Sequence, residues 1–243
     1  MHLRKIQPFL ESLWAASNTE LPSLYARWKE QCDEPDLLSL VEILYKRELS
    51  WRRTLAEQEG LIHRDEVTGL FNSRYLDLVL DREISRFKRS LQTFSLLFLD
   101  LDKFKDINDK FGHLSGSSVL RQVGEVLRSS LRETDALVRY GGDEFILVLE
   151  GANIEAARLT AERVRKKIGS TLFSVGSEGE GTHLTASIGI ANFPKHAATK
   201  LELIEKADAM MYRAKLLGRN RSADPEEHLL PPPSRFDPSS SFA

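Results

Sequence analysis

Hydrophobic and polar positions follow three successive patterns along this chain of 243 residues. Residues 1 to about 62 contain few glycines and many Leu, Glu, Lys and Arg residues, which is typical of helices, with breaks at Pro22 and Pro35. Residues 63–222 alternate strand-like and helix-like runs, which predicts an α/β or α+β domain. The stretch from Ser222 is rich in proline and serine, so we expect residues 223–243 to form a disordered tail.

The last predicted helix of the first region carries a heptad-like seam. Its apolar residues recur at alternating steps of four and three, and polar residues occupy two gaps in the series. The apolar residues are Leu37, Val41, Leu44, Trp51, Leu55 and Ile62. This spacing is the geometry of paired helices. Two interpretations stay open. The stripe packs within its own domain, or it joins two copies of the chain and makes residues 1–62 a regulatory and dimerisation region.

In several segments of the second region the apolar residues follow the spacing of a strand or a helix. Strands are predicted at residues 94–101, 136–140, 145–149 and 184–193, and helices at residues 119–131, 154–168 and 201–217. The two middle strands flank Gly141 and Gly142, which permit a tight hairpin and a close approach of a ligand to the backbone.

Composition and charge exclude several classes of function. Lys and Arg number 34 and Asp and Glu number 36, so the net charge of −2 gives no basic field for nucleic acid. The single cysteine, Cys32, excludes an intrachain disulfide and a cysteine-based zinc site. No run approaches the ~20 apolar residues of a membrane helix. We therefore expect a cytoplasmic protein that binds no nucleic acid and inserts into no membrane.

Two acidic strand ends carry the strongest chemical signal. Asp100 ends one hydrophobic strand, and Asp143 and Glu144 follow the Gly-Gly turn before another. Each alone is commonly a loop cap or a solubilising turn. Together with nearby lysines such as Lys105 they favour a metal–phosphate site, because Mg²⁺ takes carboxylate oxygens plus substrate phosphates.

A basic helix end adds a second candidate feature. Lys215 and Arg219 are four residues apart and share one helical face if the helix continues that far. One interpretation is compensation of the helix dipole. The other is a clamp on one polyphosphate.

Together these motifs resemble the GGDEF domain family, the diguanylate cyclases. The signature is intact at Gly141-Gly142-Asp143-Glu144-Phe145, and further motifs match in order at residues 65–74, 108–113, 186–191 and 207–220. The resemblance covers residues 63–222. It implies a nucleotidyl-cyclase-like palm of the α/β (α+β) class: a central, mostly antiparallel sheet flanked by helices, preceded here by an all-helical region.

The resemblance also implies a reaction and its residues. Two domains meet as a homodimer, each holding one GTP, and form cyclic di-GMP with release of pyrophosphate. Mg²⁺ or Mn²⁺ is assigned to Asp100, Asp143 and the backbone carbonyl of Leu101. Glu144 helps to deprotonate the attacking hydroxyl or assists the metal. The implied substrate contacts are Lys105, Lys215 and Arg219 for the β- and γ-phosphates, Phe104 for a backbone amide, Gly141 and Gly142 for the α-phosphate, and Asn108 and Ser117 for the base.

Ser117 departs from the family pattern, which has an aspartate at this guanine-reading position. A hydroxyl both donates and accepts hydrogen bonds, so it discriminates less between guanine and adenine than a carboxylate does. The substitution resembles a minority of GGDEF enzymes that accept ATP beside GTP and make cyclic GMP-AMP. The alternative is that Ser117 only weakens guanine binding.

An inhibitory product site is implied by Arg132 and Asp135, which match the family's RxxD motif, and by Arg163, which matches a helper arginine. These residues suit cyclic di-GMP because arginine binds guanine and phosphate bidentately. Two rival functions remain. The first is a catalytically silent GGDEF module that binds cyclic di-GMP and signals through its N-terminal helices, and the second is an adaptor that uses the proline-rich tail.

Overall fold

A computed structural model describes residues 2–17, 20–32, 34–176 and 180–226. These fall into two compact units that divide between Ile62 and His63. Within the described residues, no helix is long and apolar enough to cross a membrane.

The first unit consists of three helices: α1 (His2–Ala15), α2 (Leu21–Gln31) and α3 (Pro35–Ile62). Its small core contains buried apolar residues from all three helices, namely Phe9, Leu13, Leu21, Leu24 and Val41. The rings of Tyr25 and Tyr45 stack at 4.2 Å and tie α2 to α3.

The heptad-like seam is used within this unit over its first half. Leu37 and Val41 are buried, and Leu44 packs against the same core. The side chains of Trp51, Leu55 and Ile62 lie outside the described part of the structure. Pairing between two chains therefore stays a prediction for the second half of α3, and a substitution at Leu44 cannot test it separately from the stability of this unit.

The second unit is built on a six-stranded sheet with the order β1-β3-β4-β2-β7-β8. Its elements are β1 (Phe71–Asn72), α4 (Ser73–Ser90), β2 (Phe94–Leu101), α5 (Phe104–Phe111), α6 (His113–Arg128), β3 (Ala136–Arg139), β4 (Glu144–Leu149), α7 (Ile154–Ser170), β5 (Phe173–Val175), β6 (Glu180–Thr182), β7 (Ala186–Phe193), α8 (Lys200–Leu216) and β8 (Ser222–Ala223). The four central strands pair antiparallel, and the short edge strands β1 and β8 pair parallel. This confirms the predicted fold class.

The strands β2 and β7 are buried along their whole length, which shows that both faces of the sheet are covered there. Successive β2 side chains alternate between two cores, as strand geometry requires. Leu97 and Leu99 pack with α5, α6 and α7, whereas Leu96 and Phe98 pack with α4 and α8. Gly189 lets α8 lie directly on β7, since a Cβ there would come within 1.9 Å of the Ala207 carbonyl oxygen.

The elements with strong periodicity match their predictions within a few residues. The helix expected from residue 119 begins earlier, at His113, directly after Gly112, whose φ is +81°. The helices α4 and α5 and the short strands β1, β5, β6 and β8 received no sequence prediction. The short strands depend on tertiary pairing rather than on a pattern of their own.

The prediction that the tail begins at residue 223 is wrong. Ser222 and Ala223 pair with β7, and Asp224 is 5% exposed. Arg158 on α7 donates two hydrogen bonds of 2.7 Å to Asp224. The ordered chain therefore continues to Glu226, because a tertiary ion pair outweighs the polar, proline-rich composition. The rest of the predicted tail, residues 227–243, lies outside the described residues.

We expect Asp224→Asn to lower the free energy of unfolding by about 1.5–3 kcal/mol, the range for a hydrogen bond to a charged group. Burial acts to raise the pKa of the Asp224 carboxyl, but Arg158 and the backbone N–H of Glu226 outweigh it and hold this pKa below its usual value. The stabilisation is thus complete above the ordinary aspartate pKa of about 3.9 and disappears as the pH falls through the lower folded value.

Urea unfolding of the wild type and the variant, at neutral pH and at acidic pH, measures this difference. The exposed Glu125→Gln on α6 is the charge-matched control and should change little. An Asp224→Asn variant as stable as Glu125→Gln at neutral pH would contradict the assigned role.

Candidate active site

The antiparallel ladder gathers the predicted acidic residues at one end of the sheet. Asp100 is the penultimate residue of β2, and its cross-strand partner is Glu144, the first residue of β4. Asp143 precedes β4, and its carbonyl accepts a 3.2 Å hydrogen bond from the Leu101 N–H. Pairing of β2 with β4 therefore brings together the carboxylates that the sequence separates by more than forty residues.

Burial and neighbouring negative charge raise the pKa of two of these carboxylates, Asp100 and Glu144. Burial raises the pKa of Asp100, and Asp143 adds to the shift, although Lys215 opposes it with its Nζ at 2.7 Å from Oδ2. Burial also raises the pKa of Glu144, and the charges of Asp100 and Asp143 raise it further. The cluster thus has more negative charge than Lys215 neutralises, and an added cation at this end of the sheet would be stabilised.

This donor set fits a divalent metal ion that also binds a ligand. Among the residues that the structure describes, no three His, Cys, Asp or Glu side chains form a group ready to hold a metal ion. Asp100, Asp143 and the Leu101 carbonyl supply oxygen donors, the type that Mg²⁺ prefers while it keeps positions for phosphate and water. The observation that supports this fit is the placement of Asp100 opposite Glu144 and beside Asp143, with Lys215 as the cation that pairs with Asp100.

A clamp holds the Gly-Gly turn in place. Arg139 donates to both carboxylate oxygens of Asp65, at 2.9 and 3.0 Å, and to the Gly142 carbonyl at 2.7 Å. Burial acts to raise the pKa of Asp65, but hydrogen bonds from Thr68 and Arg139 keep it below its usual value. Sequence reasoning missed this contact, because Asp65 and Arg139 are 74 positions apart and no local pattern links them.

A cleft of about 270 Å³ opens beside the turn. It brings together most of the residues expected to bind substrate and adds His113, Leu120 and Arg139. The predicted residues that line it are Phe104, Lys105, Asn108, Ser117, Gly142 and Asp143. The two base-reading candidates, Asn108 and Ser117, thus share one cleft with Asp143 of the acidic cluster.

Gly116 sets the position of Asn108 in this cleft. A Cβ at residue 116 would lie 1.9 Å from Asn108 Oδ1 and 3.4 Å from the Phe104 ring. The absence of a side chain on this turn of α6 therefore lets the Asn108 amide lie against the helix beside Ser117.

The two cations of the basic helix end are placed differently. Lys215 lies in the last turn of α8 and pairs with Asp100. Arg219 lies beyond the helix with φ +64° and borders a second cavity of about 500 Å³, together with Lys103 and Asn220. The structure therefore does not place Lys215 and Arg219 on one continuous helical face.

The predicted product-site residues lie around the turn between α6 and β3. Asp135 is buried, and its two oxygens accept the backbone N–H groups of Arg132 and Glu150. Arg132 itself is exposed. Arg163 on α7 donates to the Ser130 carbonyl at 3.0 Å, so all three predicted residues belong to one neighbourhood.

Residues 62–221 match the family described as "Diguanylate cyclase, GGDEF domain". The chain is 41% identical over 157 residues to diguanylate cyclase DosC of Escherichia coli (strain K12), covering 65% of this chain and 34% of DosC. It is 38% identical over 156 residues to diguanylate cyclase DgcS of Shewanella oneidensis, covering 64% and 50%. The chain thus spans between a third and a half of the length of these curated relatives.

Two solved structures resemble the fold. The coiled coil and GGDEF domain of DgcB from Caulobacter crescentus, in complex with c-di-GMP, has a TM-score of 0.70 and 28% identity, covering 77% of this chain and 98% of that one. Diguanylate cyclase SiaD from Pseudomonas aeruginosa, in complex with its activator SiaC, has a TM-score of 0.67 and 31% identity, covering 91% and 84%. At 91% coverage the second match extends into the N-terminal helices.

Proposed function

This chain belongs to the GGDEF domain family, and from that premise we propose that it is a diguanylate cyclase. It condenses two GTP molecules into cyclic di-GMP and releases two pyrophosphates. The observation that carries this proposal is the acidic end of the sheet, formed by Asp100, Asp143 and Glu144, beside a cleft lined by Lys105 and Asn108. The names of the curated relatives support the same activity.

In the proposed reaction the 3′-oxygen of each GTP attacks the α-phosphorus of the other, and the bond to pyrophosphate breaks. Glu144 is the candidate to accept the hydroxyl proton, because its raised pKa suits a general base better than an ordinary carboxylate. Asp100, Asp143 and the Leu101 carbonyl would hold Mg²⁺ or Mn²⁺, which neutralises phosphate charge when bound. Lys105, Lys215 and Arg219 would contact the β- and γ-phosphates, and Gly141 and Gly142 would flank the α-phosphate.

Each domain holds one substrate, so the proposed reaction requires a homodimer. The N-terminal helices are the candidate dimerisation and regulatory region. The coiled coil of the DgcB structure and the breadth of the SiaD match support that role. The neighbourhood of Arg132, Asp135 and Arg163 is the candidate site for cyclic di-GMP, the molecule bound in the DgcB structure.

A second product, cyclic GMP-AMP, is favoured by one residue. Ser117 lines the cleft with Asn108, where an aspartate would pair with the N1 and exocyclic amine donors of guanine. The hydroxyl rotates to donate to adenine N1 or to accept from guanine, so the carboxylate's repulsion of adenine is lost. We propose that ATP is accepted beside GTP.

The first test is turnover of GTP by the full chain with Mg²⁺, with products identified by mass. Asp143→Asn should suppress cyclic di-GMP formation at least about 100-fold, as expected when a group that stabilises developing charge is removed. The exposed Asp109→Asn on α5 is the matched control and should retain activity.

Equal rates for Asp143→Asn and wild type, with both folded, would contradict the metal assignment. A wild type that binds cyclic di-GMP but forms no product from GTP would identify the silent signalling module instead.

The second test concerns the base. With equal GTP and ATP we expect wild type to form cyclic GMP-AMP together with cyclic di-GMP. Ser117→Asp should shift the products toward cyclic di-GMP, because a carboxylate gains a charge-assisted bond of roughly 1.5–3 kcal/mol to guanine. Ser118→Asp adds the same charge at the next position of α6 and should leave the ratio unchanged. Cyclic di-GMP alone from wild type, at a ratio that Ser117→Asp does not alter, would refute ATP acceptance.

The third test concerns Gly116. Gly116→Ala should displace the Asn108 amide and raise the KM for GTP by about 5- to 150-fold, which corresponds to about 1–3 kcal/mol for a lost polar contact. Alanine is a better helix former than glycine, so the melting temperature should not fall with the affinity. Gly169→Ala on α7, where a Cβ meets nothing within 4 Å, is the matched control. An unchanged KM in Gly116→Ala would remove Asn108 from the base site.

A further inference from the structure

Asp102 is a buried carboxylate for which the proposed reaction has no role. It lies two residues beyond Asp100 and is 7% exposed. Its Oδ1 accepts from Ser187 Oγ at 2.7 Å, and its Oδ2 accepts from Thr185 Oγ1 at 2.6 Å and from the Asn220 N–H at 3.0 Å. Both oxygens thus accept hydrogen bonds from protein donors, so Asp102 is not a further candidate metal ligand.

The Asn220 N–H belongs to a loop with an unusual backbone. Gly218, Arg219 and Asn220 follow α8 with φ values of +112°, +64° and +47°. Residues other than glycine adopt this region rarely, and two in succession require support from their surroundings. Arg165 on α7 supplies a second tie, since it donates to Asn220 Oδ1 at 2.6 Å.

The left-handed residues are concentrated at one place. In the described part of the backbone, the non-glycine residues with positive φ are Leu91, Lys103, Arg219 and Asn220. Leu91 ends α4 and is a helix cap. Lys103, Arg219 and Asn220 all border the second cavity, together with Asp102.

We propose that Asp102 is a positioning residue, which locks the loop 218–220 so that Arg219 faces the triphosphate of the bound nucleotide. Arg165 supports the same loop from α7. The inference rests on the proposed function, in which Arg219 contacts the β- and γ-phosphates. Asp102 follows directly on the strand end that holds Asp100, so one short segment fixes both the acidic cluster and the distant arginine.

The experiment measures Kd values by calorimetry, on the full chain with Mg²⁺, for 3′-deoxy-GTP and 3′-deoxy-GMP. Neither can react, because the attacking hydroxyl is missing, and they differ only in the β- and γ-phosphates. Asp102→Ala should raise the Kd of the triphosphate about tenfold and leave the Kd of the monophosphate within about twofold of the wild-type value. In an Arg219→Ala background, Asp102→Ala should cause no further loss of triphosphate affinity.

Two variants separate positioning from general stability. Asp102→Asn should retain the triphosphate affinity within about threefold, because the amide oxygen still accepts from Asn220 and the amide group donates to Ser187. Ser187→Ala removes the donor to the other oxygen and should leave both affinities within about twofold. If Asp102→Ala does not fold, Arg165→Met tests the same loop. It should also weaken binding of the triphosphate more than binding of the monophosphate.

An equal loss of affinity for both nucleotides in these variants would overturn the positioning role while the proposed function stands. Additive losses of triphosphate affinity from Asp102→Ala and Arg219→Ala would do the same. A wild type that does not bind 3′-deoxy-GTP would overturn the proposed function and this inference with it.

Discussion

The pairing of β2 between β4 and β7 is the constraint on which the candidate site depends. Side chains alternate along β2, so Leu97 and Leu99 enter one core, and Leu96 and Phe98 enter the other. The same alternation puts Asp100 on the face that α8 covers, where Lys215 pairs with it. A shift of one residue in register would exchange the faces of every side chain, so the burial of these leucines also fixes the acidic group.

In the proposed reaction, the charge at this end of the sheet links the binding of the metal ion to the binding of the nucleotide. Burial raises the pKa of Asp100 and Glu144, and the charge of Asp143 raises both further. A triphosphate alone would add to that negative charge, and a metal ion alone would find few protein donors. Bound together, the cation would neutralise the carboxylates and the phosphates would complete its set of oxygen ligands. In the proposed reaction, this mutual dependence would account for a site in which the described residues supply only some of the metal ligands.

Sequence reasoning found those parts of the molecule whose evidence is local. The strands β2, β4 and β7 and the helices α7 and α8 carry their own period, because each buries a continuous face. The acidic residues were located at the ends of these predicted strands. The base-reading residues of the cleft, Asn108 and Ser117, were identified only through the family motifs. The Arg139–Asp65 clamp and the Arg158–Asp224 pair join distant segments, so no spacing reveals them. The seam of α3 shows a further limit, since periodicity predicts a packed face at Val41 without identifying its partner.

In the proposed reaction, symmetry would give the N-terminal unit a role that the catalytic cleft cannot have, namely to bring two domains together. A 3′-hydroxyl in one domain must reach the α-phosphorus in another, so no arrangement within a single domain completes the reaction. Proximity and orientation of the two domains then control the rate, since holding reactants in place replaces a bimolecular encounter. Among the described residues, the helical unit has a core of its own around Phe9, Leu21 and Val41. In the proposed homodimer, a compact helical unit of this kind would suit control of the distance between the two catalytic domains.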